Sequence, residues 1–236
     1  MKFLRGLLGA LCALSLLPIF LWFAATIPSG SMNFYSREYD KYSIPQSIGV
    51  EKDDLMNVTK VLTDYMLGHR GDMVVNAVVN GETREFFDQR EKDHMADVRG
   101  LFDGGRNIVH GAIAVFAVSA LLLLLLSGKW KLWLRVLAKA FVITDAAFLA
   151  VVAVIAGVFV SNFDWAFTQF HLMFFSNSLW ILDPSVDLLV DIVPEPFFVD
   201  ISIYGGALFA GQIVILIALS AVALKTFLRK KRIGMI

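Results

Sequence analysis

The chain has 236 residues, 57% of them hydrophobic and 18% charged, with a mean hydropathy of +0.67, which excludes an ordinary water-soluble domain and points to a membrane protein. Its 21 basic residues balance 21 acidic ones and no basic stripe interleaves with aromatics, so no nucleic-acid partner is expected. The single cysteine, Cys12, excludes an intrachain disulfide, a multi-cysteine zinc or iron–sulfur site and a CxxC redox pair.

Residues 1–27 place Lys2 and Arg5 ahead of an apolar run that ends in Ala24-Ala25-Thr26. The run exceeds the ~7–15 residues of a signal-peptide core, so an uncleaved first transmembrane helix is expected. Leu11 directly before Cys12 argues against a lipobox, and Cys12 reads as a small apolar filler. Residues 28–106 are too long for a connector and should fold as an outer cap. There, Asp53 or Asp54 can cap a helix in which Leu55, Val58, Leu62 and Tyr65 recur at helical spacing before Gly68. Between Met73 and Thr83, β-branched residues around Asn80-Gly81 predict a short two-stranded ribbon. Helical spacing returns from Phe86 to Phe102, with Phe87, Glu91, His94, Val98 and Leu101 on one stripe. Glu91 and Asp97 then lie about 60° to either side of His94.

Three further apolar stretches, 107–127, 140–160 and 201–224, each reach the ~20 residues that cross a hydrocarbon core as a helix. Gly205, Gly206 and Gly211 in the last permit close helix contact. Between them lie a loop at 128–139, a segment at 161–200 and a tail at 225–236. Ser161, with Asp164 near the third helical position, predicts a capped helix. Phe163, Phe167, Phe170, His171, Phe174 and Phe175 give that helix an aromatic face, and Asn177, Trp180 and Asp183-Pro184 follow in a turn. The expected fold is an all-α membrane protein: four transmembrane helices with a small, mainly helical extracellular cap and a short β-ribbon.

Charge sets an expected orientation. Segments 1–27, 128–139 and 225–236 carry eleven basic residues and no acid, which assigns them and both termini to the cytoplasm. Residues 28–106 hold fourteen acids and ten bases, and 161–200 hold six acids and no base; both belong outside.

Of four histidines, His94 and His171 sit on apolar helical stripes at the expected membrane surface. Glu91, Asp97 and Arg99 accompany the first, and phenylalanines surround the second. A group titrating near neutrality is costly in such surroundings unless used, yet spacing alone is equally compatible with hydrogen-bonded structural histidines. His69 follows a helix C-terminus and reads as solvated. His110 reads as a hydrogen bond within the bundle, and Asp145 as an intramembrane acid able to pair locally with Lys139. His94 and Asp97 at i, i+3 with His171 have the ligand types of a zinc site, but there is no HExxH and no second acid-rich cluster. No GxSxG elbow accompanies Ser176 or Ser178. On the residues alone, metal-assisted hydrolysis is therefore the weaker reading.

Glu91-x-x-His94-Met95-x-Asp97-Val98-Arg99-x-Leu101 and Phe170-His171-x-x-x-Phe175-x-Asn177-x-x-Trp180-x-Leu182-Asp183-Pro184 together resemble the bacterial membrane family that contains lipoprotein intramolecular transacylase. The resemblance extends over nearly the whole chain. It implies four transmembrane helices in the plasma membrane, an extracellular cap, and two catalytic histidines, His94 and His171, where cap meets membrane. It further implies diacylglyceryl-modified lipoproteins as substrate, with membrane lipids around the enzyme. The reaction would move the sn-2 acyl chain to the α-amine of the same N-terminal cysteine, giving a lyso-form lipoprotein without metal or cofactor. Glu91, Asp97, Arg99, Phe170, Phe175, Asn177, Trp180 and Asp183 would bind substrate or support the transition state. On the residues alone, a non-catalytic protein with a partner-binding cap and a lipid or lipoprotein hydrolase stay open.

Overall fold

The computed structural model describes residues 1–233, without the side chains of 158–160 and 228–233. The end of the expected basic tail at 234–236 and the side chains of Arg229, Lys230, Lys231 and Arg232 therefore lie outside the described residues. In chain order the elements are α1 (Lys2–Ser29), α2 (Met32–Tyr42), α3 (Ile44–Ile48), α4 (Lys52–Met66), β1 (Asn76–Val79), β2 (Glu82–Glu85), α5 (Gln89–Ser127), α6 (Trp130–Ser161), α7 (Phe163–Phe174), α8 (Leu188–Ile192) and α9 (Glu195–Ile233). Among the described residues, α1, α5, Trp130–Gly157 of α6 and Glu195–Phe227 of α9 are long and apolar enough to cross a membrane. The fold is thus that of an all-α membrane protein with four such helices and a small β-ribbon.

The chain divides into two compact units. The first comprises Met1–Ala24, Arg106–Ser161 and the chain from Gly206 onward. Its inward side chains form two clusters, one around Leu8, Cys12, Leu123, Leu137 and Phe141, the other around Leu17, Ala24, Phe209 and Ile213. Many large apolar side chains point outward, including Ile113, Leu125, Val154 and Leu219, which suits a lipid environment. Cys12 is wholly buried, as a filler should be. The close helix contact is made at Gly9, where an added Cβ would stand 3.1 Å from both Ala140 Cβ and Val136 Cγ1. At Gly206 and Gly211, expected to serve that purpose, an added Cβ would meet nothing within 4 Å among the described residues. Asp145 is 0% exposed and neither carboxylate oxygen has a hydrogen-bond partner among the described residues, so the local pair with Lys139 that the sequence allows is not formed.

The second unit comprises Ala25–Gly105 and Asn162–Gly205. Its core gathers Phe34, Tyr35, Tyr39, Leu55, Val58, Leu62, Phe86, Phe87, Met95, Ile192 and Phe197. The predicted stripe on α4 supplies Leu55, Val58 and Leu62, but Glu51 occupies the cap position, and Asp53 and Asp54 lie in the first turn, where they complement the helix dipole. The ribbon forms as its turn residues predict: β1 and β2 pair antiparallel, Val79 opposite Glu82, across Asn80 and Gly81, both with positive φ. Ala77 and Val79 of β1 point into the core and alternate with exposed Asn76 and Val78. The α7 cap is Asn162, whose side chain accepts from Trp165 N; Ser161, the expected cap, is the last residue of α6.

Candidate active site

The site is built from the start of α5. Asp88 accepts a hydrogen bond from Glu91 N at 2.8 Å, and Glu91 Oε2 accepts in return from Asp88 N at 2.6 Å, a reciprocal capping box. The other Glu91 oxygen accepts from Leu189 N of α8 at 2.5 Å. Glu91 is 1% exposed; burial pushes its carboxyl up while the two backbone N–H groups pull it down. Its carboxylate is therefore committed to holding the helix start, one turn before His94.

His94 and His171 come together, with ring centroids 6.2 Å apart and planes at 32°. Both are buried. Phe175 stands 5.5 Å from each ring, Phe170 lies edge-on to His171 at 5.5 Å, and Trp180 lies across it at 4.8 Å. His171 Nδ1 is 2.8 Å from the Phe167 carbonyl, which can only accept, so this nitrogen carries the proton and the neutral ring presents a lone pair at Nε2. His94 Nδ1 is buried with no hydrogen-bond partner among the described residues. Burial, reinforced by His171, pushes the His94 imidazole down to about 4, with Asp97 pulling upward. Burial also lowers His171, against an upward pull from the Phe167 carbonyl. Both rings are accordingly neutral near pH 7.

Asp97 and Asn177, 80 positions apart, meet through Asn177 Nδ2, which donates to Asp97 Oδ2 at 2.8 Å. They line an open cleft of about 300 Å³ with Gly100, Leu101, Phe174, Phe175 and Ser176. Trp180 Nε1 donates to the Asn177 carbonyl at 3.1 Å. Asp183 shapes the turn beyond, accepting from Ser185 N at 2.9 Å. Arg99 is engaged elsewhere: it donates to the Arg70 carbonyl at 2.8 Å, stands 3.8 Å from Asp103 and lies over the Tyr65 ring. Among the described residues no group of three or more His, Cys, Asp or Glu side chains is arranged to hold a metal.

Two roles lie beyond the sequence reading, which sets Phe167 only on the aromatic face of its helix and does not single out Arg90. Phe167 orients His171 through its carbonyl, with its ring 4.1 Å from the imidazole. Arg90 donates to the carbonyls of Ser178 at 3.1 Å and Ile181 at 2.7 Å, pinning the loop that carries Trp180. The i, i+4 spacing of Phe167 and His171 is visible in the sequence; the reach of Arg90 across 91 positions is not.

No curated protein matches the chain. Among solved structures, the membrane integral lipoprotein intramolecular transacylase Lit from Bacillus cereus superposes with a TM-score of 0.74 at 20% identity, covering 99% of this chain and 100% of that one. Variants of that protein with one histidine changed to arginine or alanine superpose with TM-scores of 0.66 and 0.68 at 19% and 21% identity, covering 99% and 98% of this chain and 94% and 97% of theirs. This likeness is one of fold. The model of the family described as Lipoprotein intramolecular transacylase Lit matches residues 10–198, most of the sequence, and the chain belongs to that family of membrane transacylases.

Proposed function

We propose that the protein moves the sn-2 acyl chain of a diacylglyceryl-modified lipoprotein onto the α-amine of the same N-terminal cysteine, with His94 and His171 as the reacting side chains. The observation that carries this reading is the pairing of two buried, neutral imidazoles 6.2 Å apart in an aromatic setting. An α-ammonium, which ordinarily titrates at ~7.7–8.0, must lose a proton before it attacks an ester. His171 Nε2 has the lone pair to take that proton, and the Phe167 carbonyl supports the imidazolium through Nδ1–H. His94, held neutral, supplies an N–H donor for the oxyanion of the tetrahedral intermediate. His171 releases this first proton to solvent; after attack it takes the second proton from the nitrogen and, as the C–O bond breaks, passes that proton to the glyceryl alkoxide, leaving an amide and a free hydroxyl.

Because ester and amine belong to one molecule, holding them together supplies much of the rate; effective molarities of well-oriented pairs reach ~10⁵–10⁸ M. Phe170, Phe174 and Phe175 offer apolar surface for acyl and glyceryl carbons, and no covalent acyl-enzyme is needed. We place the second unit outside the cytoplasm and both termini inside, on the eleven acid-free basic residues of the remaining segments. The test is co-expression with a reporter lipoprotein and mass spectrometry of its N-terminal peptide. An N-acylated, monoacylglyceryl cysteine supports the reading; an unchanged diacylglyceryl peptide, or a deacylated peptide with a free amine, overturns it.

A further inference from the structure

We propose that Asp97 is the recognition group for the substrate's α-ammonium, so that the protein separates free-amine lipoproteins from N-acylated ones by charge. This rests on the transacylase reading above and assigns one element of its specificity. The acids from Asp88, just before α5, to Asp103 divide clearly. Asp88 and Glu91 are spent on the capping box, Asp93 accepts from Gln89 at 2.7 Å, and Asp103 faces Arg99 at 3.8 Å. Asp97 is half-buried, lines the cleft, and forms no ion pair with any described lysine, arginine or histidine. Asn177 fixes its Oδ2, which leaves Oδ1 to receive a donor.

The cleft and the histidine pair share a wall. Phe175 lines the cleft and stands 5.5 Å from both imidazoles, so a nitrogen held at Asp97 enters beside the reacting groups. The walls suit a cationic head on an apolar body: Asp97, Ser176 and Asn177 are polar, Leu101, Phe174 and Phe175 apolar, and Gly100 adds no side chain. A carboxylate in such a place pairs strongly with an ammonium and not with an amide. The substrate amine carries a positive charge before transfer and none afterward. The same group therefore retains substrate and releases product.

The experiment uses the full chain in detergent and a pair of non-transferable probes: an S-(2,3-dialkoxypropyl)cysteinyl peptide, whose ethers replace the esters, with its α-amine free or acetylated. At neutral pH the wild type should bind the free amine about tenfold or more tighter than the acetylated probe. Asp97→Asn, which keeps the shape and the acceptor for Asn177, should bind both alike. Asp97→Glu should retain part of the preference, and Asn177→Ala, which keeps the charge, most of it. Equal binding of the two probes by the wild type, or an undiminished preference in Asp97→Asn, overturns the assignment. If the wild type shows no amine preference yet converts the ester substrate, the Asp97 assignment falls alone. If the preference depends on Asp97 but no acyl chain moves, the amine site stands and the transacylase reading falls.

Discussion

His171 donates its Nδ1 proton to the main-chain carbonyl of Phe167, 2.8 Å away and one helical turn earlier. The bond selects the tautomer in which Nε2 is basic and holds the ring against Phe175 and Trp180. It also explains how an aromatic helix can carry a usable base: the charge that forms on the ring has a fixed acceptor waiting.

Removing either imidazole should therefore stop the reaction while leaving the chain folded in the membrane. His94→Ala and His171→Ala are each expected to lower acyl transfer by ~10²–10⁴-fold. His69→Ala should stay close to wild type, since His69 is an exposed ring beside Asp64, and so should His110→Ala. Conversion by the lipoprotein co-expression assay checks this; near-normal transfer by either of the first two variants would remove the assignment.

The pH dependence has a definite sign. Burial lowers both imidazoles below the ordinary 6.5, His94 to about 4, so the neutral rings persist below the pH at which a free histidine charges. The acid limb of kcat/KM should fall with an apparent pKa under 6.5. Because the unfolded chain binds protons more readily in this window, folding stability should also decline as pH drops from 6.5 toward 4. An acid limb centred at or above 6.5 would contradict the assignment of neutral, buried rings.

Much of this site is legible in the sequence, for a physical reason. The stripe that carries His94 and the aromatic face that carries His171 are periodic and local, and each histidine lies on the apolar side of its helix. Their meeting, and that of Asp97 with Asn177, joins positions far apart, which periodicity does not encode. The helix of 86–102 and the span of 107–127 are a single helix, α5, that continues through Gly104 and Gly105. Each glycine costs only about 1 kcal/mol there, less than the apolar stretch ahead contributes in favour of helix. The short helices α2, α3 and α8 escaped notice because they are held by tertiary burial of residues such as Tyr39, Ile48 and Ile192. Glu91, beside His94 by helical spacing, proves to be bonded to two backbone N–H groups instead.

That double use of Glu91 makes a stability prediction. Glu91→Ala leaves the Leu189 N–H without its acceptor and opens the Asp88 cap, at a cost of about 2–3 kcal/mol. The thermal midpoint in detergent should fall, with transfer at low temperature less affected than in the histidine variants. A midpoint equal to wild type would show that the buried carboxylate is not holding α5 to α8.

Sidedness can be read by substituted-cysteine labelling on a Cys12-free background. A cysteine at Asn80, in the ribbon turn, should react with an impermeant reagent in intact cells, and one at Lys131, near the start of α6, should not. The reverse pattern would overturn the orientation drawn from the basic segments.

The most direct test follows the acyl chain itself. A reporter lipoprotein carrying an isotopic mark only in its sn-2 chain, incubated with the full protein in unlabelled lipid, should yield a product whose amide carries the mark quantitatively. The glyceryl group should retain the unmarked sn-1 chain and a free hydroxyl. Dilution of the mark by the surrounding lipid, or its recovery as a free fatty acid beside an unmodified amine, would contradict intramolecular transfer.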